Sequence, residues 1–369
     1  MLYKNLIKLP KVKVATGLYS HWDSIIKVDE YILSWIKNSR SVKTNNLVLN
    51  SMEEVIHTLK KAGDNESLIS RKVYSELDSF FPKREMRLGG NGNNMGRTLL
   101  ELGINPLVSY PIRSDKLMKV SPKFKVAFGN KLTTPRKVIR KNDPDYDHII
   151  FESKKWRDIL AWDLMSSRGI FDKDFLRFAF NSKFIDITII GYAHLLLPKY
   201  KKKTDILLDS IKSERPKIHL EFGLGSEKSM RYAMEKFSEN GSCDSWGLDE
   251  NECKAYLSAY SEDKKDLIES SIEAMKEYNL KRICVHSARF AFSISKYDMR
   301  KEEDSLISGC IAAGVQASQK LSLKKIVPIK KKINNYNLCL VPTFYVSSPK
   351  KVTGLGDAFT SVQAVKALS

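Results

Sequence analysis

Strand-like and helix-like stretches alternate through the second half of this chain, and this rhythm limits the fold more than any other feature. Runs rich in β-branched and apolar residues predict strands at 184–192, 217–223, 282–287 and 338–346. Runs with apolar residues at helical spacing lie between them, at 204–214, 226–240, 264–279 and 302–319. Apolar strands joined by helices are typical of a parallel sheet covered on both faces. The pattern therefore predicts an α/β domain with a largely parallel sheet flanked by helices.

The first half of the chain is less regular, which predicts a second, smaller domain. Residues 12–20 and 105–112 are predicted core strands, but the segments that follow them break the strand–helix rhythm. Residues 125–132 and 148–153 are predicted exposed or edge strands, separated by a turn at "NDPD". We expect one lid-like domain that is inserted twice, with a core formed by 1–28, 88–114 and 183–369 and a lid formed by 29–87 and 115–182.

The composition is that of a folded protein without membrane spans. Hydrophobic residues make up 42% of the 369 residues, which is enough for a large core. The longest apolar runs, such as 187–198, are too short to cross a bilayer, and the first residues lack the apolar block of a signal peptide. The five cysteines form no CxxC pair, which argues against disulfides and a zinc site. We expect a soluble, cytoplasmic protein with reduced thiols.

The net charge raises the question of a nucleic-acid partner. Lys and Arg number 62 against 43 Asp and Glu, a formal charge of +19. The basic residues are scattered, with short clusters at 199–203, 323–325 and 330–332, and no arginine-rich tail, zinc-finger spacing or RNP motif accompanies them. We therefore predict no specific nucleic acid, and a basic nucleic-acid-binding protein stays open as the alternative from another class. A basic cleft also favours anionic substrates such as nucleotides.

Near the end of the chain, "TGLGDAF" sets two glycines in front of an acid and a predicted helix. A helix N-terminus offers unpaired N–H groups, and Gly354 and Gly356 would let a phosphate group approach that backbone closely. Asp357 could then accept a proton from a hydroxyl group beside the phosphate. The same residues also fit a plain glycine turn and a capped helix, and spacing alone favours this structural interpretation.

A second glycine cluster, "RLGGNGNNMG" (87–96), also precedes a helical run. It lacks the GK[ST] of a P-loop and the GxGxxG of dinucleotide sites. Its glycines predict either a close approach of the backbone to a ligand or a close crossing of helix and strand. Its amide side chains are of the type that binds sugar hydroxyl groups; they are Asn91, Asn93 and Asn94.

Two pairs that contain acids are candidate metal ligands. In "IHLEFG", His219 and Glu221 lie on one face of a predicted strand, because side-chain direction repeats every two residues. A carboxylate at the end of a buried strand needs a partner or a metal ion. In "GLDENE", Asp249 and Glu252 are neighbours on one helical turn, and the segment also fits an N-terminal capping box. Taken alone, each pair fits a capping or surface role better than a metal site.

Three further candidates lie at or just after the ends of predicted strands. His21 and Asp23 come just after the strand at 12–20, and His286 ends the strand at 282–287. Ligands of parallel α/β sheets gather at the carboxyl ends of strands, so Asp23 is a candidate ligand-binding residue. A lone histidine is more often structural than functional.

The order of these motifs resembles one known family. A strand-end Asp, a GG–Asn turn, an HxE strand, a [DN]xxE segment and a GxGD turn follow each other as in the ADP-dependent glucokinase/phosphofructokinase family of the ribokinase superfamily. The likeness runs from about residue 12 to 365, and its most specific parts are "HLEFG", "DSWGLDENE", "RICVHS" and "VTGLGDAFTS". It implies a ribokinase-like core, a lid that closes over a sugar, and transfer of the β-phosphoryl group of ADP to a sugar hydroxyl with Mg²⁺ as cofactor.

The resemblance also implies roles for single residues. Asp357 resembles the catalytic base, and the residues that resemble the anion-hole turn are Gly354, Leu355 and Gly356. The residues implied in Mg²⁺ binding, partly through water, are Glu221, Glu252 and Asp249. The residues implied in sugar binding are Asp23, Gly89, Gly90, Asn91, His21 and, on a looser match, Glu66.

Two departures from the family pattern bear on the acceptor. Asp249 stands where the family has asparagine, and His21 replaces the asparagine two residues before Asp23. The resemblance implies ADP and a sugar or sugar phosphate as partners, in a monomer or small homo-oligomer. The +19 charge favours a fructose 6-phosphate type of acceptor slightly over glucose, as do the candidate arginines Arg87, Arg97, Arg113 and Arg289. Glu66, if it reaches the site, favours glucose instead. An ATP-dependent sugar or nucleoside kinase is the alternative within the superfamily.

Overall fold

Two β-sheets organise the part of the chain that the computed structural model describes. One sheet has nine strands and the other six, and a two-stranded hairpin lies beside them. No helix among the described residues is long and apolar enough to cross a membrane. The described residues are 6–46, 48–63, 65–153, 156–162, 171–192, 195, 199–223, 225–239, 241–257, 266–318, 326–344, 346, 349 and 353–369.

The elements are numbered in chain order. The strands are β1 (Val14–Gly17), β2 (His21–Lys27), β3 (Val48–Leu49), β4 (Asn65–Ile69), β5 (Glu85–Gly89), β6 (Leu107–Val108), β7 (Val126–Phe128), β8 (Lys131–Thr133), β9 (Asp147–Glu152), β10 (Arg157–Ala161), β11 (Ile187–Gly191), β12 (Lys217–Glu221), β13 (Ser245–Asp249), β14 (Arg282–His286), β15 (Phe290–Ser295), β16 (Ile329–Ile333) and β17 (Tyr336–Pro342). The α-helices are α1 (Glu30–Asn38), α2 (Met52–Lys60), α3 (Arg71–Phe80), α4 (Asn91–Glu101), α5 (Asp115–Val120), α6 (Lys173–Ala179), α7 (Tyr200–Ser210), α8 (Glu227–Glu239), α9 (Glu250–Leu257), α10 (Leu267–Glu277), α11 (Met299–Ser318) and α12 (Leu355–Leu368).

The nine-stranded sheet is the predicted parallel sheet with an antiparallel extension. Its order is β16-β17-β15-β14-β13-β12-β11-β1-β6. All pairs from β6 to β14 are parallel, and β15, β17 and β16 continue the sheet antiparallel. The predicted α/β class with a largely parallel sheet is therefore confirmed.

Helices cover both faces of this sheet because its strands are apolar on both sides. On one face, Val14, Ile187 and Ile189 pack with side chains of α4 and α12 in one core cluster. On the other face, Ile190 and Leu220 join a larger cluster with side chains of α6 to α10. Neighbouring residues of β11 thus point to opposite faces, and both faces are buried.

The six-stranded sheet has the order β3-β4-β10-β9-β2-β5 and carries α1, α2 and α3. Its central strands correct two expectations. Residues 148–153 were predicted to form an exposed or edge strand, but β9 lies between β2 and β10, and Ile149 to Phe151 are buried. Asp23 was predicted at the carboxyl end of a core strand, but β1 stops at Gly17 and Asp23 lies within β2 of this second sheet. Only three residues separate β1 of the larger sheet from β2 of the second sheet, so the sequence pattern does not show that the two strands belong to different sheets.

The strand pairing also differs from the predicted domain boundaries at two places. Residues 21–27 were placed in the core, yet β2 pairs with β5 and β9 of the six-stranded sheet. The stretch 115–146 was placed in the lid, yet Lys125, the residue before β7, forms a bridge with Leu107 of β6. Arg113, just before this stretch, donates to the carbonyl oxygen of Ala127 at 2.8 Å and pairs at 2.9 Å with Asp172 at the start of α6, which packs against the larger sheet. We refer to the six-stranded sheet with α1–α3 as the lid.

Candidate active site

A cleft of about 450 Å³ lies between the carboxyl edge of the larger sheet and one face of the lid sheet. Four adjacent parallel strands each end on a residue that lines this cleft: Gly191 on β11, Glu221 on β12, Asp249 on β13 and His286 on β14. This is the edge where ligands of parallel α/β sheets bind. The edge explains why these four residues, far apart in sequence, share one site.

The lid contributes side chains from every second residue of its strands. Asp23 on β2 and His148 on β9 are direct neighbours across a parallel pair, and Glu66 on β4 is paired in register with Ile159 on β10. Since side-chain direction repeats every two residues, they share the face that lines the cleft with Arg157 and Ile159 of β10. The loosely matched Glu66 is therefore brought to the predicted site.

The turn before α12 has the geometry expected of an anion-binding helix start. Gly354 is the N-cap residue with φ +77°, a left-handed conformation that favours glycine. A Cβ atom there would lie 3.0 Å from the Asn94 side chain. Leu355 and Gly356 form the first turn of α12 with Asp357, and Asn94 donates a hydrogen bond from Nδ2 to Oδ2 of Asp357 at 2.9 Å. Asn94, on α4, holds the carboxylate at the mouth of the turn.

Glu221 is held by two histidines. Its Oε1 lies 2.9 Å from Nε2 of His286 and its Oε2 lies 3.2 Å from Nε2 of His219. Burial opposes the charge of this carboxylate, but the hydrogen bonds from the two histidines outweigh burial and lower the pKa of Glu221 to about 2. Glu221 is therefore ionised at neutral pH, and His286, which the sequence favoured as structural, positions it.

Asp249 and Glu252 form the capping box that the sequence left open. The backbone N–H of Asp249 donates to Oε2 of Glu252 at 2.8 Å, and that of Glu252 donates to Oδ1 of Asp249 at 2.7 Å. Both residues also line the cleft. Burial and the adjacent Asp249 carboxylate raise the pKa of Glu252 well above its usual value, with smaller contributions from Glu221 and Glu66. A cation at this edge would relieve the repulsion among these acids.

The acceptor half of the cleft is built around Asp23. His21 lies beside it, with Nδ1 3.4 Å from Oδ1 of Asp23, and the His21 and His148 rings are 3.8 Å apart. Gly89 packs against Asp23 so closely that a Cβ atom would lie 2.1 Å from Oδ1. Burial, and then the nearby His21, lower the pKa of His148 well below its usual value, so His148 is neutral at pH 7.

Of the predicted residues in the 87–96 glycine cluster, some line the cleft and others only support the fold. Gly90 and Asn91 line the cleft, and Asn91 accepts a hydrogen bond from the backbone N–H of Tyr19 at 3.2 Å. Asn93 is buried structure, since it donates to the Gly89 carbonyl and accepts from Tyr110. The cleft residues that the sequence did not single out include His148, Arg157, Gly191 and Thr353. His148 and Arg157 could have been found from the period-two alternation of β9 and β10, if these strands had been predicted inside a sheet and not at its edge.

The pKa of Glu66, which lines the cleft, is shifted in opposite directions by its surroundings. Its side chain is open to the cleft, but protein atoms surround the cleft on most sides. This crowding, with the Asp357 and Asp23 carboxylates, raises the pKa of Glu66 against the opposing charge of Arg157. The acceptor half thus concentrates carboxylates around one guanidinium.

Comparison with known proteins identifies the family. The family model for the conserved region of ADP-specific phosphofructokinases and glucokinases matches residues 12–365. An ADP-dependent glucose/glucosamine kinase of Pyrococcus furiosus is 23% identical over 98% of this chain and 96% of its own length.

Solved structures share the fold. A hypothetical ADP-dependent phosphofructokinase of Pyrococcus horikoshii superposes with a TM-score of 0.75 at 18% identity, over 98% of both chains. An ADP-dependent kinase solved with fructose 6-phosphate and ADPβS gives 0.75 at 17% identity, over 99% of this chain and 95% of that one. The predicted α/β fold with a largely parallel sheet is therefore confirmed, and it is the fold of these ADP-dependent kinases. The chain belongs to the ADP-specific phosphofructokinase/glucokinase family, a family of ADP-dependent sugar kinases.

Proposed function

We propose that this protein transfers the β-phosphoryl group of ADP to a hydroxyl group of an unphosphorylated hexose such as glucose, with AMP as the other product. The observation that carries the choice of acceptor is Glu66, which lines the acceptor half of the cleft together with Asp23. A carboxylate there accepts hydrogen bonds from sugar hydroxyl groups and repels a phosphate group. The P. furiosus relative, a glucose/glucosamine kinase, is in line with this choice.

The arginines that favoured a sugar phosphate from sequence do not support it in the fold. Arg113 is fully buried against Asp172, and Arg87 is paired with Glu85 and Glu152. Neither these two residues nor the other two arginines of that argument, Arg97 and Arg289, line the cleft. Among the described lining residues the one Lys or Arg is Arg157, and Glu66 lies on the same face of the lid sheet, on the neighbouring strand.

Asp357 is the proposed general base. Its carboxylate accepts the proton of the acceptor hydroxyl while the sugar oxygen forms a bond to the β-phosphorus. The bond from that phosphorus to the oxygen bridging to the α-phosphate breaks, and AMP leaves with the bridging oxygen. Asn94 orients the base through its hydrogen bond to Oδ2. Binding of both substrates in one cleft supplies the in-line geometry on which such a transfer depends.

The turn at 354–356 is the proposed binding site for the transferred phosphoryl group. The first N–H groups of a helix have no intrahelical partner and point out of its end, where they can donate to phosphoryl oxygens. Thr353, just before the turn, donates to Oε1 of Glu152 on β9 at 3.4 Å. The turn is therefore tied to the lid as well as to α4.

The acids at the carboxyl edge suit the Mg²⁺ ion that the family resemblance implies. Glu221, Asp249 and Glu252 offer hard carboxylate oxygens, and burial, followed by repulsion from Asp249, raises the pKa of Glu252. Because Glu221 and Glu252 each already accept hydrogen bonds, they would hold the ion partly through water. When bound, Mg²⁺ would neutralise charge on the phosphoryl oxygens.

A panel of acceptors with ADP tests the proposal by AMP release. We expect turnover of glucose, at least about tenfold lower kcat/KM with fructose 6-phosphate, and no activity after treatment with EDTA. Preference for fructose 6-phosphate would overturn the acceptor assignment. Formation of ADP from ATP, without AMP from ADP, would overturn the donor.

Variants at Glu66 sharpen this test. Glu66→Gln removes the repelling charge, so the kcat/KM ratio of glucose to fructose 6-phosphate should fall by at least about tenfold. Glu76→Gln is the matched control, because Glu76 is exposed on α3 of the same lid and pairs only with Lys72 at 3.8 Å in the described contacts. An equal change in both variants would show that Glu66 does not set the acceptor.

A further inference from the structure

We propose that His21, Asp23 and His148 form a binding site for a transition-metal ion of the Zn²⁺ class in the acceptor half of the cleft. This site is separate from the carboxylates at the edge of the larger sheet. Binding of the metal requires neither ADP nor a sugar. Only its effect on catalysis, competition with the sugar, depends on the function proposed above.

The three side chains converge on one point. Each offers one ligand atom, and these atoms all lie within 4.8 Å of one another. An ion about 2.0–2.2 Å from each donor needs donors roughly 3–3.5 Å apart, so small side-chain rotations would close the site. The convergence follows from register, since Asp23 and His148 are paired across β2 and β9 and His21 lies two residues before Asp23.

The backbone already orients one of the imidazoles. Nδ1 of His21 lies 2.9 Å from the carbonyl oxygen of Trp22. A carbonyl oxygen only accepts, so Nδ1 carries the proton and Nε2 carries the lone pair that binds a metal. A ring nitrogen that donates to a backbone carbonyl is the usual support of a metal-binding histidine.

The second imidazole, that of His148, has a buried nitrogen without a hydrogen-bond partner among the described residues. Within the described part of the chain, Nε2 of His148 is buried and has no hydrogen-bond partner. Buried polar atoms without partners are rare and point to an ion, a water molecule or a ligand that completes them. Asp23 beside it is 5% exposed and is confined by Gly89, which leaves its carboxylate little freedom to turn away.

The donor set selects the class of ion. Two imidazole nitrogens and one carboxylate oxygen suit Zn²⁺, Co²⁺, Ni²⁺ or Fe²⁺, whereas Mg²⁺ and Ca²⁺ prefer oxygen donors only. Three protein ligands leave at least one open position, as in metal sites that exchange water or ligand. The histidine at 21, where the family pattern has asparagine, supplies one of the two nitrogens.

Titration with Co²⁺ tests the site without any assay of catalysis. We would use the full chain without a polyhistidine tag, stripped by a chelator, and follow the visible absorption of bound Co²⁺. We expect one strong site per chain that Zn²⁺ displaces and excess Mg²⁺ does not. Displacement by Mg²⁺ at similar concentration, or no visible band, would overturn the proposal.

Two variants locate the ion. His21→Asn and His148→Gln should each weaken Co²⁺ affinity at least about tenfold, with thermal unfolding showing that each variant is folded. The matched control is His286→Asn, which removes a cleft histidine beside Glu221 and should leave Co²⁺ affinity unchanged. Loss of binding in the control, with binding retained in the other two variants, would place the ion at the edge of the larger sheet and refute the site.

Inhibition kinetics then connect the site to the acceptor. Zn²⁺ should inhibit competitively against the hexose and not against ADP, and His21→Asn should relieve this inhibition. Inhibition competitive with ADP would contradict the link to the acceptor half. If no sugar is phosphorylated at all, the proposed function fails, while the Co²⁺ titration still decides the metal site.

Discussion

Asp357 lies in the first turn of α12, directly after the glycine turn, and its carboxylate accepts a hydrogen bond from the Asn94 amide. We expect Asp357→Asn to lower kcat by at least about 10²-fold, because asparagine can still accept from Asn94 but cannot take up the hydroxyl proton. Steady-state kinetics and circular dichroism measure the loss and the fold. The control is Asp304→Asn, which removes an exposed carboxylate on α11 that pairs with Lys366 of α12 at 2.5 Å and should leave kcat unchanged. Near-normal kcat in a folded Asp357→Asn variant would exclude the role of general base.

Gly89 shows how one missing side chain shapes the acceptor half. A Cβ atom at this position would lie 2.1–2.3 Å from the Asp23 carboxylate, so Gly89→Ala must displace it. We expect kcat/KM for the sugar to fall about 10²-fold, while KM for ADP stays constant because the turn at 354–356 and the acids at the edge of the larger sheet are untouched. Equal losses for both substrates would instead indicate a general change of fold, which thermal unfolding would also reveal.

Among the elements, α2 of the lid has a complete capping box. Glu54 donates its backbone N–H to Oγ of Ser51 at 3.3 Å, and Oε2 of Glu54 accepts from the N–H of Ser51 at 3.2 Å. We expect Ser51→Ala to lower the free energy of unfolding by about 1 kcal/mol. Urea unfolding followed by circular dichroism would measure this change.

The control for this helix is Ser75→Ala on α3. Ser75 is exposed in the interior of a neighbouring lid helix, where alanine has the higher helix propensity. It should be neutral or slightly stabilising. Equal destabilisation by both substitutions would show that the lid responds to any loss of a hydroxyl group rather than to loss of the cap.

At the scale of the whole molecule, one buried carboxylate ties three strands at the sheet edge opposite the cleft. Asp244 accepts from Arg215 Nη1 at 2.5 Å, from the N–H of Ile218 at 3.0 Å and from Lys281 Nζ at 3.0 Å. Burial opposes its charge, but these hydrogen bonds outweigh burial and hold the pKa of Asp244 below its usual value. The ionised form therefore stabilises the folded chain above the unfolded pKa, and this contribution is lost as the pH falls through the folded value.

We expect Asp244→Asn to lower the free energy of unfolding by about 2 kcal/mol at pH 7. The difference from the natural chain should shrink as the pH falls below about 4. Urea titrations at several pH values test this, with Asp304→Asn as a control that should show little difference at any pH. A difference that stays constant down to pH 3 would mean that the charge of Asp244 does not stabilise the fold.

The net charge of +19 has a partly structural explanation at this scale. The cluster at 330–332 lies on β16, an edge strand whose lysines are exposed, and charged edge strands resist pairing with other chains. In the cluster at 199–203, Lys203 is buried in α7, and the cluster at 323–325 lies outside the described residues. The prediction of no specific nucleic-acid partner stays a prediction.

The sequence by itself determined the parallel α/β core and identified the carboxylates among the described residues that line the cleft. Buried strands and amphipathic helices are local patterns, and the acids and glycines of the turn at 354–357 are local as well. The tertiary structure decided that Asp23 belongs to the lid sheet and that Glu66, His148 and Arg157 face it. Strand neighbours in a sheet depend on long-range pairing. The register that brings His148 beside Asp23 therefore cannot be predicted from the local sequence of β2 or of β9. The packing of α4 against α12, which sets Asn94 on Asp357, likewise depends on contacts across the whole chain.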